Sequence, residues 1–317
     1  MIIKGICQKR ELPQKIHDAI LGAGSNWQEI SSNKTQDFKW DGVQSDGWVF
    51  KSPPIGTKSE SVILQMKHMD LNITSMDGNV GKGGNHFCFW LSDNYEPSVT
   101  ENTNGTFTAK GTFHTWIFTH VDSVNCGPLA EYDYFVDVLD HRIMIVIQRH
   151  NNTITTYPQF IYIGYPEPST NLEGENYTNQ FIVGSNVNNG GSTVAYVSWH
   201  KASNGKRNGY TYTSCTLNAA NPNPMGLYLL SPILVTGDGG TGMSNTGPLG
   251  VLSGLYGLPP SGIVNNDTIM IGSDEYKVFA ISQWSINTSA GGYGGHSAGY
   301  VYYMNGITPT MIAIKVN

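Results

Sequence analysis

Charged side chains are scarce in this chain. Asp, Glu, Lys and Arg together make up 13% of its 317 residues, whereas roughly 25% is typical of soluble proteins. The formal net charge is −6, and the basic residues do not gather into a block. A nucleic-acid groove needs such a block to neutralise phosphates, so we expect no nucleic-acid partner. A large surface with few charges tends to associate, which favours a homo-oligomer.

Long apolar runs are missing as well. The longest one covers residues 143–147, whereas a membrane-spanning helix needs about 20 apolar residues. The first residues, MIIKGICQKRELPQ, lack the apolar stretch of a secretory signal. We therefore expect no membrane insertion and no secretion through a signal peptide.

Cysteine is rare and is not spaced for a local site. Cys7, Cys88, Cys126 and Cys215 form no CxxC pair. This spacing indicates neither a zinc knuckle nor a disulfide framework. We predict buried thiols in a protein made in a reducing compartment.

Strand-like segments are abundant, and they centre on residues 132–168. The run at 143–147 is rich in β-branched side chains and predicts a strand buried on both faces. Residues 135–139 and 159–164 predict neighbouring strands. Asp140-His141 predicts a tight turn, and Asn151 suits the positive φ of another turn.

Further strands are predicted along most of the chain. Val62, Leu64 and Met66 alternate with Ile63, Gln65 and Lys67, which predicts a half-buried strand. A hairpin is predicted over 268–281, and the other predicted strands are 48–52, 59–67, 71–75, 87–91, 106–121, 181–184, 192–200, 210–216, 300–304 and 311–316.

One stretch favours a helix, residues 12–23. Leu12, Ile16 and Ile20 fall on one face at helical spacing, and Pro13 suits the first turn. A glycine at 22 or 24 can end the helix. The helix either packs on the β core or docks on a neighbouring subunit, and the sequence leaves both open.

The fold class that follows is mainly β, with antiparallel sandwich or barrel-like sheets and one short N-terminal helix. The polar stretch after Pro168 suggests a boundary. We predict an N-terminal arm with the helix over 1–30, a first β domain over 31–168, and a second β region with glycine-rich loops over 169–317. Loops are predicted at 237–258 and 291–299, where glycine is most frequent, and long ordered loops are often interfacial.

Residue types that carry catalysis occur without catalytic spacing. His114 and His120 share one face of a predicted strand, but about 20 Å separates them along an extended chain, which is too far for one metal ion. Acidic residues occur at 137/140, 173/175 and 238, but their spacing does not select the carboxylate pair of a glycosidase. Phosphate-loop, nucleophile-elbow and HExxH spacings are absent. We therefore predict a protein that is not an enzyme, with no catalytic residue, no cofactor and no metal.

Several segments resemble those of virion structural proteins of tailed bacteriophages and related contractile particles. These are WDGVQSDGWVFKS at 40–52, SVILQM at 61–66, FIYIGYP at 160–166 and DTIMIGSDEYKVF at 267–279. The resemblance lies in the general pattern of strands and turns, not in a diagnostic motif, and it covers about a third of the chain. It implies a scaffold that is made in the host bacterial cytoplasm and assembled into a virion. It supplies no catalytic residues.

The expected function is therefore that of a structural component of a phage virion, in the tail, baseplate or neck. Its partners would be further copies of itself and other virion proteins. Two alternatives stay open: a receptor- or glycan-binding module that attaches to a host surface glycan, and a polysaccharide-degrading enzyme on a β scaffold. The candidate interface residues lie in the helix and the glycine-rich loops: Leu12, Ile16, Ile20, Met243, Leu249, Leu252, Leu255, Tyr256, Tyr293 and His296.

Overall fold

A computed structural model describes most of the predicted strands and the helix. The structure describes residues 2–22, 24–31, 48–56, 59–70, 85–92, 94–99, 106–108, 129–151, 158–167, 180–185, 187–189, 192–194, 198–201, 207–208, 211–214, 230–237, 248–258, 263–280 and 311–316.

These residues form mostly strands, as the sequence predicts. One α-helix is described, α1 (Leu12–Gly22), and a short 3-10 turn (Lys9–Glu11) leads into it. The strands are, in chain order, β1 (Ile2–Gln8), β2 (Gln28–Glu29), β3 (Trp48–Lys51), β4 (Ile63–Asp70), β5 (Asn85–Ser92), β6 (Asn94–Glu96), β7 (Thr106–Thr108), β8 (Glu131–Leu139), β9 (Arg142–Arg149), β10 (Gln159–Gly164), β11 (Gln180–Ser185), β12 (Val187–Asn189), β13 (Ser192–Val194), β14 (Ser198–Lys201), β15 (Arg207–Asn208), β16 (Thr211–Ser214), β17 (Ser231–Gly237), β18 (Pro248–Leu258), β19 (Thr268–Ile271), β20 (Asp274–Ala280) and β21 (Met311–Val316).

A seven-stranded antiparallel sheet occupies the centre of the fold, in the order β1-β8-β9-β10-β11-β14-β15. Its middle strands are the ones that the sequence predicted at 135–139, 143–147 and 159–164. The predicted tight turn at Asp140-His141 joins β8 to β9, where Leu139 lies opposite Arg142. Asn151 takes the predicted positive φ, at 52°. Local signals thus located this hairpin correctly.

Two further sheets cover the two faces of the central sheet. On one face, Met144 and Val146 pack against Leu252 and Ile312, which belong to a six-stranded sheet in the order β16-β17-β18-β21-β20-β19. On the other face, Ile145 belongs to a core that includes α1 and the four-stranded sheet β2-β3-β4-β5. The run at 143–147 is therefore buried on both faces, as predicted, and the described residues stack in layers.

Helix α1 ends where the sequence predicts. It stops at Gly22, and Gly24 takes a φ of +67°, a conformation that glycine adopts without steric cost. The apolar face of the helix, including Leu12, Ile16 and Ile20, is buried in the chain's own core. Of the two placements that the sequence left open, the structure shows packing on the β core.

Three parts of the chain differ from the expectations. Residues 2–8, expected in an N-terminal arm, form strand β1 of the central sheet, with Ile2 opposite Asp137 and Gln8 opposite Glu131. The stretch 62–66, expected to be half-buried, is buried on both faces, because it lies between the central sheet and a second small core. In the expected loop 237–258, residues 248–258 instead form β18, which pairs with β17 and β21.

The expected boundary at 168/169 falls between two neighbouring strands. β10 and β11 pair antiparallel, with Phe160 opposite Ser185 and Gly164 opposite Phe181. The central sheet therefore continues across that position. Of the expected C-terminal elements, the hairpin at 268–281 is confirmed as β19 and β20, and the last strand as β21.

Candidate functional site

Strand β1 is the outermost strand of the central sheet, so one side of its backbone faces away from β8. Lys9 continues the register of this pair and donates its backbone N–H to the carbonyl of Ala130, at 2.8 Å. In an antiparallel ladder, residues alternate between bonding the partner strand and pointing away from it. Counting back from Lys9, the N–H and C=O groups of Ile2, Lys4 and Ile6 point outward. We call this row of groups the β1 edge.

The β1 edge is closed at one end by a side chain. The backbone N–H of Gln8, which also points outward by this count, donates to the carboxylate of Glu11 at 2.9 Å. Lys4 and Ile6 make no such bond within the described residues. Ile6 is also 54% exposed, an unusual degree for an isoleucine in a sheet. The open part of the edge is therefore at Lys4 and Ile6.

A groove of about 270 Å³ lies beside the β1 edge, between the central sheet and strand β20. Phe135, Val146 and Phe279 supply its apolar floor, and the rings of Phe135 and Phe279 meet edge to face, with centroids 5.1 Å apart. Lys4 and Lys277 supply its positive charge. We call this the β1 groove. Its size suits one or two side chains of a bound segment.

The positive charge of Lys4 acts on Lys277 in the β1 groove. Burial lowers the pKa of Lys277 below its usual value, and the positive charge of Lys4 lowers it further. The Lys277 amine donates a hydrogen bond to the backbone carbonyl of Asn266. A negative group in the groove would relieve the repulsion between the two ammonium groups, because opposite charges stabilise each other's charged forms.

The acidic residue of the β1 groove is already engaged. One Asp133 carboxylate oxygen lies 2.8 Å from Nδ1 of His150, and the other accepts a hydrogen bond from the Gln148 amide at 3.2 Å. Asp133 therefore has its own partners on the central sheet.

A second polar cluster joins α1 to strand β2. The His17 ring lies between two carboxylates, with Nδ1 3.0 Å from Asp18 and Nε2 3.0 Å from Glu29. The ring also packs against Trp48, with centroids 4.5 Å apart. Burial by itself lowers the pKa of His17, but the hydrogen bonds and charges of Glu29 and Asp18 outweigh it and raise that pKa above 6.5. We call this cluster the His17 clasp. Because Asp18 and Glu29 occupy both ring nitrogens, its geometry suits fastening better than catalysis.

A third polar group is sealed inside the protein. Arg142 donates to Asp137 at 2.6 Å, and both side chains are fully buried. The guanidinium lies against Gly254 of β18, where an added Cβ would come within 2.7 Å of Nη2. Nearby, His141 contacts the Ser253 hydroxyl at 2.9 Å, and the Gly254 N–H donates to Glu167. This group joins the two large sheets and has no open face for a ligand.

The structure places the sequence-predicted interface residues in different surroundings. Leu12, Ile16, Ile20, Leu252 and Leu255 are fully buried within the chain, so their surface is used by its own core. Tyr256 is half-buried against Tyr276 in an edge-to-face contact. Leu249 lies in β18, but its side chain is outside the described part, as are Met243, Tyr293 and His296.

The candidates for catalysis and metal binding fall largely outside the described residues. These are His114, His120, Glu173, Glu175 and Asp238. Within the described ranges, no group of three or more His, Cys, Asp or Glu residues is arranged to hold a metal ion. Asp137 is paired with Arg142, and Asp140 accepts hydrogen bonds from Asn26. Cys7 is a free, buried thiol, as predicted.

No helix among the described residues is long and apolar enough to cross a membrane.

Sequence reasoning missed the β1 edge because the stretch IIKGICQ was considered only as a possible signal segment. Its three isoleucines in seven positions are typical of a strand. No protein-family model matches this chain, and no curated protein matches it.

Proposed function

We propose that this protein is a structural component of a bacteriophage virion, associated with its tail, and that it acts by self-assembly and by docking on neighbouring particle proteins. The observation that carries the proposal is the open β1 edge with its exposed Ile6. An unpaired edge with an exposed apolar side chain is a ready template for another chain. The resemblance of segments such as 40–52 and 267–279 to phage virion proteins supplies the setting.

The outermost strand of the second large sheet supports the same proposal. β19 ends the order of the six-stranded sheet, and its Met270 is 57% exposed. Exposed apolar side chains on strands at sheet edges are otherwise avoided, because they favour association. Together with the low content of charge, they suit a protein whose surface is covered in an assembly.

Purified virions provide the test. We expect mass spectrometry of gradient-purified particles to detect the chain at a fixed number of copies per particle. We also expect immunogold electron microscopy with an antibody against the chain to label one position on the tail. The control is the same labelling on tailless heads from the same preparation, which should stay unlabelled.

Other outcomes would contradict the virion proposal or favour one of the alternative functions. A chain that is absent from washed particles and that stays monomeric at high concentration would contradict the proposal. Saturable binding to a host polysaccharide by such a monomer would favour a glycan-binding module instead, and release of reducing ends from it would favour an enzyme.

A further inference from the structure

We propose that the β1 edge receives an extended, acidic segment of a neighbouring protein, which adds an eighth strand to the central sheet and places a carboxylate in the β1 groove. The inference deepens the proposed assembly role and rests on it for the identity of the neighbour. The binding mode itself concerns the isolated chain and can be tested on it.

The outward-facing backbone groups of β1 can pair with an added strand. The N–H and C=O groups of Lys4 and Ile6 point away from β8 and offer two donors and two acceptors in a row. Glu11 caps the outward N–H of Gln8, so the open stretch has a defined end. An added strand would satisfy these groups as a neighbouring strand of a sheet does.

The side chains of an added strand would point into the β1 groove. Residues of an added antiparallel strand that lie opposite Lys4 and Ile6 project on the same face as those two side chains. Lys4 and Ile6 both line the β1 groove. Alternate side chains of the added segment would therefore enter the groove, over the apolar floor that Phe135 and Phe279 provide.

The positive charge of the β1 groove favours a bound segment that carries a negative side chain. Lys4 and Lys277 both line the groove, and Asp133 is held by His150 and Gln148. A carboxylate would meet two ammonium groups, whereas a neutral or basic segment would leave them repelling each other. A lysine on an edge strand discourages indiscriminate pairing, so Lys4 would select an acidic partner.

The same reasoning disfavours a second copy of this chain as the occupant. If two β1 strands paired about Gly5, Lys4 would lie opposite Ile6 of the other copy. The two Lys4 side chains would then be diagonal neighbours on one face. With Lys277 of each copy nearby, four positive charges would gather, and β1 of the second copy would bring no acidic residue to them. The acidic occupant avoids this repulsion.

The test uses the full chain and a synthetic nine-residue peptide of alternating threonine and valine, with glutamate at the central position. A matched peptide carries glutamine there and a third carries lysine. We expect the glutamate peptide to bind about five times more tightly than the glutamine peptide at low salt, as weak, partly exposed ion pairs allow. We expect bound peptide to slow hydrogen exchange at the amides of Lys4 and Ile6, while Gly5 and Cys7 are protected already.

Two variants assign the effect to the groove and the edge. In Lys4→Glu/Lys277→Glu the preference should reverse, so that the lysine peptide binds best. Lys51→Glu, at the exposed last residue of β3, should leave the order unchanged. Ile6→Pro removes one outward donor and should abolish binding, while Ile6→Val keeps it. If Ile6→Pro fails to fold, the charge reversal still decides.

Several results would overturn the inference. These are no binding of the glutamate peptide at millimolar concentration, equal binding of the glutamate and glutamine peptides, and protection that appears away from Lys4 and Ile6. Concentration-dependent dimerisation that protects these two amides without peptide would identify a second copy as the occupant. None of these results bears on whether the chain is present in virions, so the two proposals can fail separately.

Discussion

Among the glycines whose surroundings the structure describes, Gly164 has the least room for a side chain. Its φ is +130°, and an added Cβ would lie 2.3 Å from the backbone oxygen of His141. That oxygen cannot move easily, because it accepts a hydrogen bond from the Tyr165 N–H at 2.8 Å. We expect Gly164→Ala to lower the free energy of unfolding by about 3 kcal/mol or more, from backbone strain and overpacking together.

The matched control for this substitution is Gly272→Ala. Gly272 also has a positive φ, at +63°, but its Cβ would meet nothing within 4 Å. Its cost should be the conformational one alone, about 1–2 kcal/mol. Urea unfolding of both variants measures the difference. Equal losses would show that the close approach of His141 does not constrain position 164.

His141 makes a pH-dependent contribution to stability. Burial lowers its pKa to about 4, and the neighbouring Arg142 charge acts in the same direction. In the unfolded chain its pKa is about 6.5. Between these values the unfolded chain binds a proton that the folded chain does not, so stability falls as the pH drops from about 6.5 to about 4.

We expect the free energy of unfolding to fall by roughly 2–3 kcal/mol, through His141 alone, as the pH drops to about 4. The measurement is the free energy of unfolding of wild type and of His141→Gln between pH 4 and 8. The difference between the two curves should change in that window and level off above pH 7. A difference that stays constant with pH would mean that His141 titrates normally in the folded protein.

At the scale of elements, the His17 clasp fastens α1 to β2. Its contribution to stability depends on pH in the opposite sense to that of His141. Because the pKa of His17 is raised in the folded state, the protonated ring stabilises the fold below about pH 6.5, and this contribution is lost as the pH rises through the raised value. The pKa values of Asp18 and Glu29 are lowered, so their contribution is lost only when the pH falls below the ordinary carboxylate range. The clasp should therefore be strongest between about pH 5 and 6.5.

Replacing His17 tests this window. We expect His17→Gln to cost about 1–2 kcal/mol near pH 5.5, as hydrogen bonds to charged groups do, and less at pH 8. Imidazole signals in NMR titrations should show the pKa of His17 falling in Glu29→Gln. A variant in which that pKa does not move would show that Glu29 is not responsible for the shift.

Elements with local signals were predictable from the sequence, and those that depend on distant pairing were not. The β8–β9 and β19–β20 hairpins were found because each strand pair and its turn are adjacent in the chain. β18 was predicted as a loop because glycine is a poor strand former. Pairing with β17 on one side and β21 on the other overrides that preference.

The candidate site was hidden from the sequence for the same reason. Lys4 and Lys277 lie far apart in the chain, and only the layering of the two large sheets brings them to one groove. Likewise, the apolar face of α1 is compatible with both a core and a partner surface. Burial of Ile16 in the chain's own core is a tertiary property that helical spacing alone does not encode.

At the scale of the whole molecule, the central sheet is shared by two cores that lie on its opposite faces. Neighbouring residues of β9 serve different cores. Met144 packs towards the six-stranded sheet, and Ile145 packs towards α1 and the four-stranded sheet. Since one strand supports both cores, we expect the described layers to unfold together rather than one by one.

Two adjacent truncations test this cooperativity. Met144→Ala and Ile145→Ala should each lower the free energy of unfolding by about 2–5 kcal/mol, as buried large-to-small changes do. Both should accelerate hydrogen exchange in β4 and in β20 alike, although these strands belong to the cores on opposite faces of the central sheet. Met270→Ala, on the exposed edge of β19, should change stability by no more than about 0.5 kcal/mol. If Ile145→Ala accelerated exchange only in β4, and Met144→Ala only in β20, the two cores would be independent units that merely share a sheet.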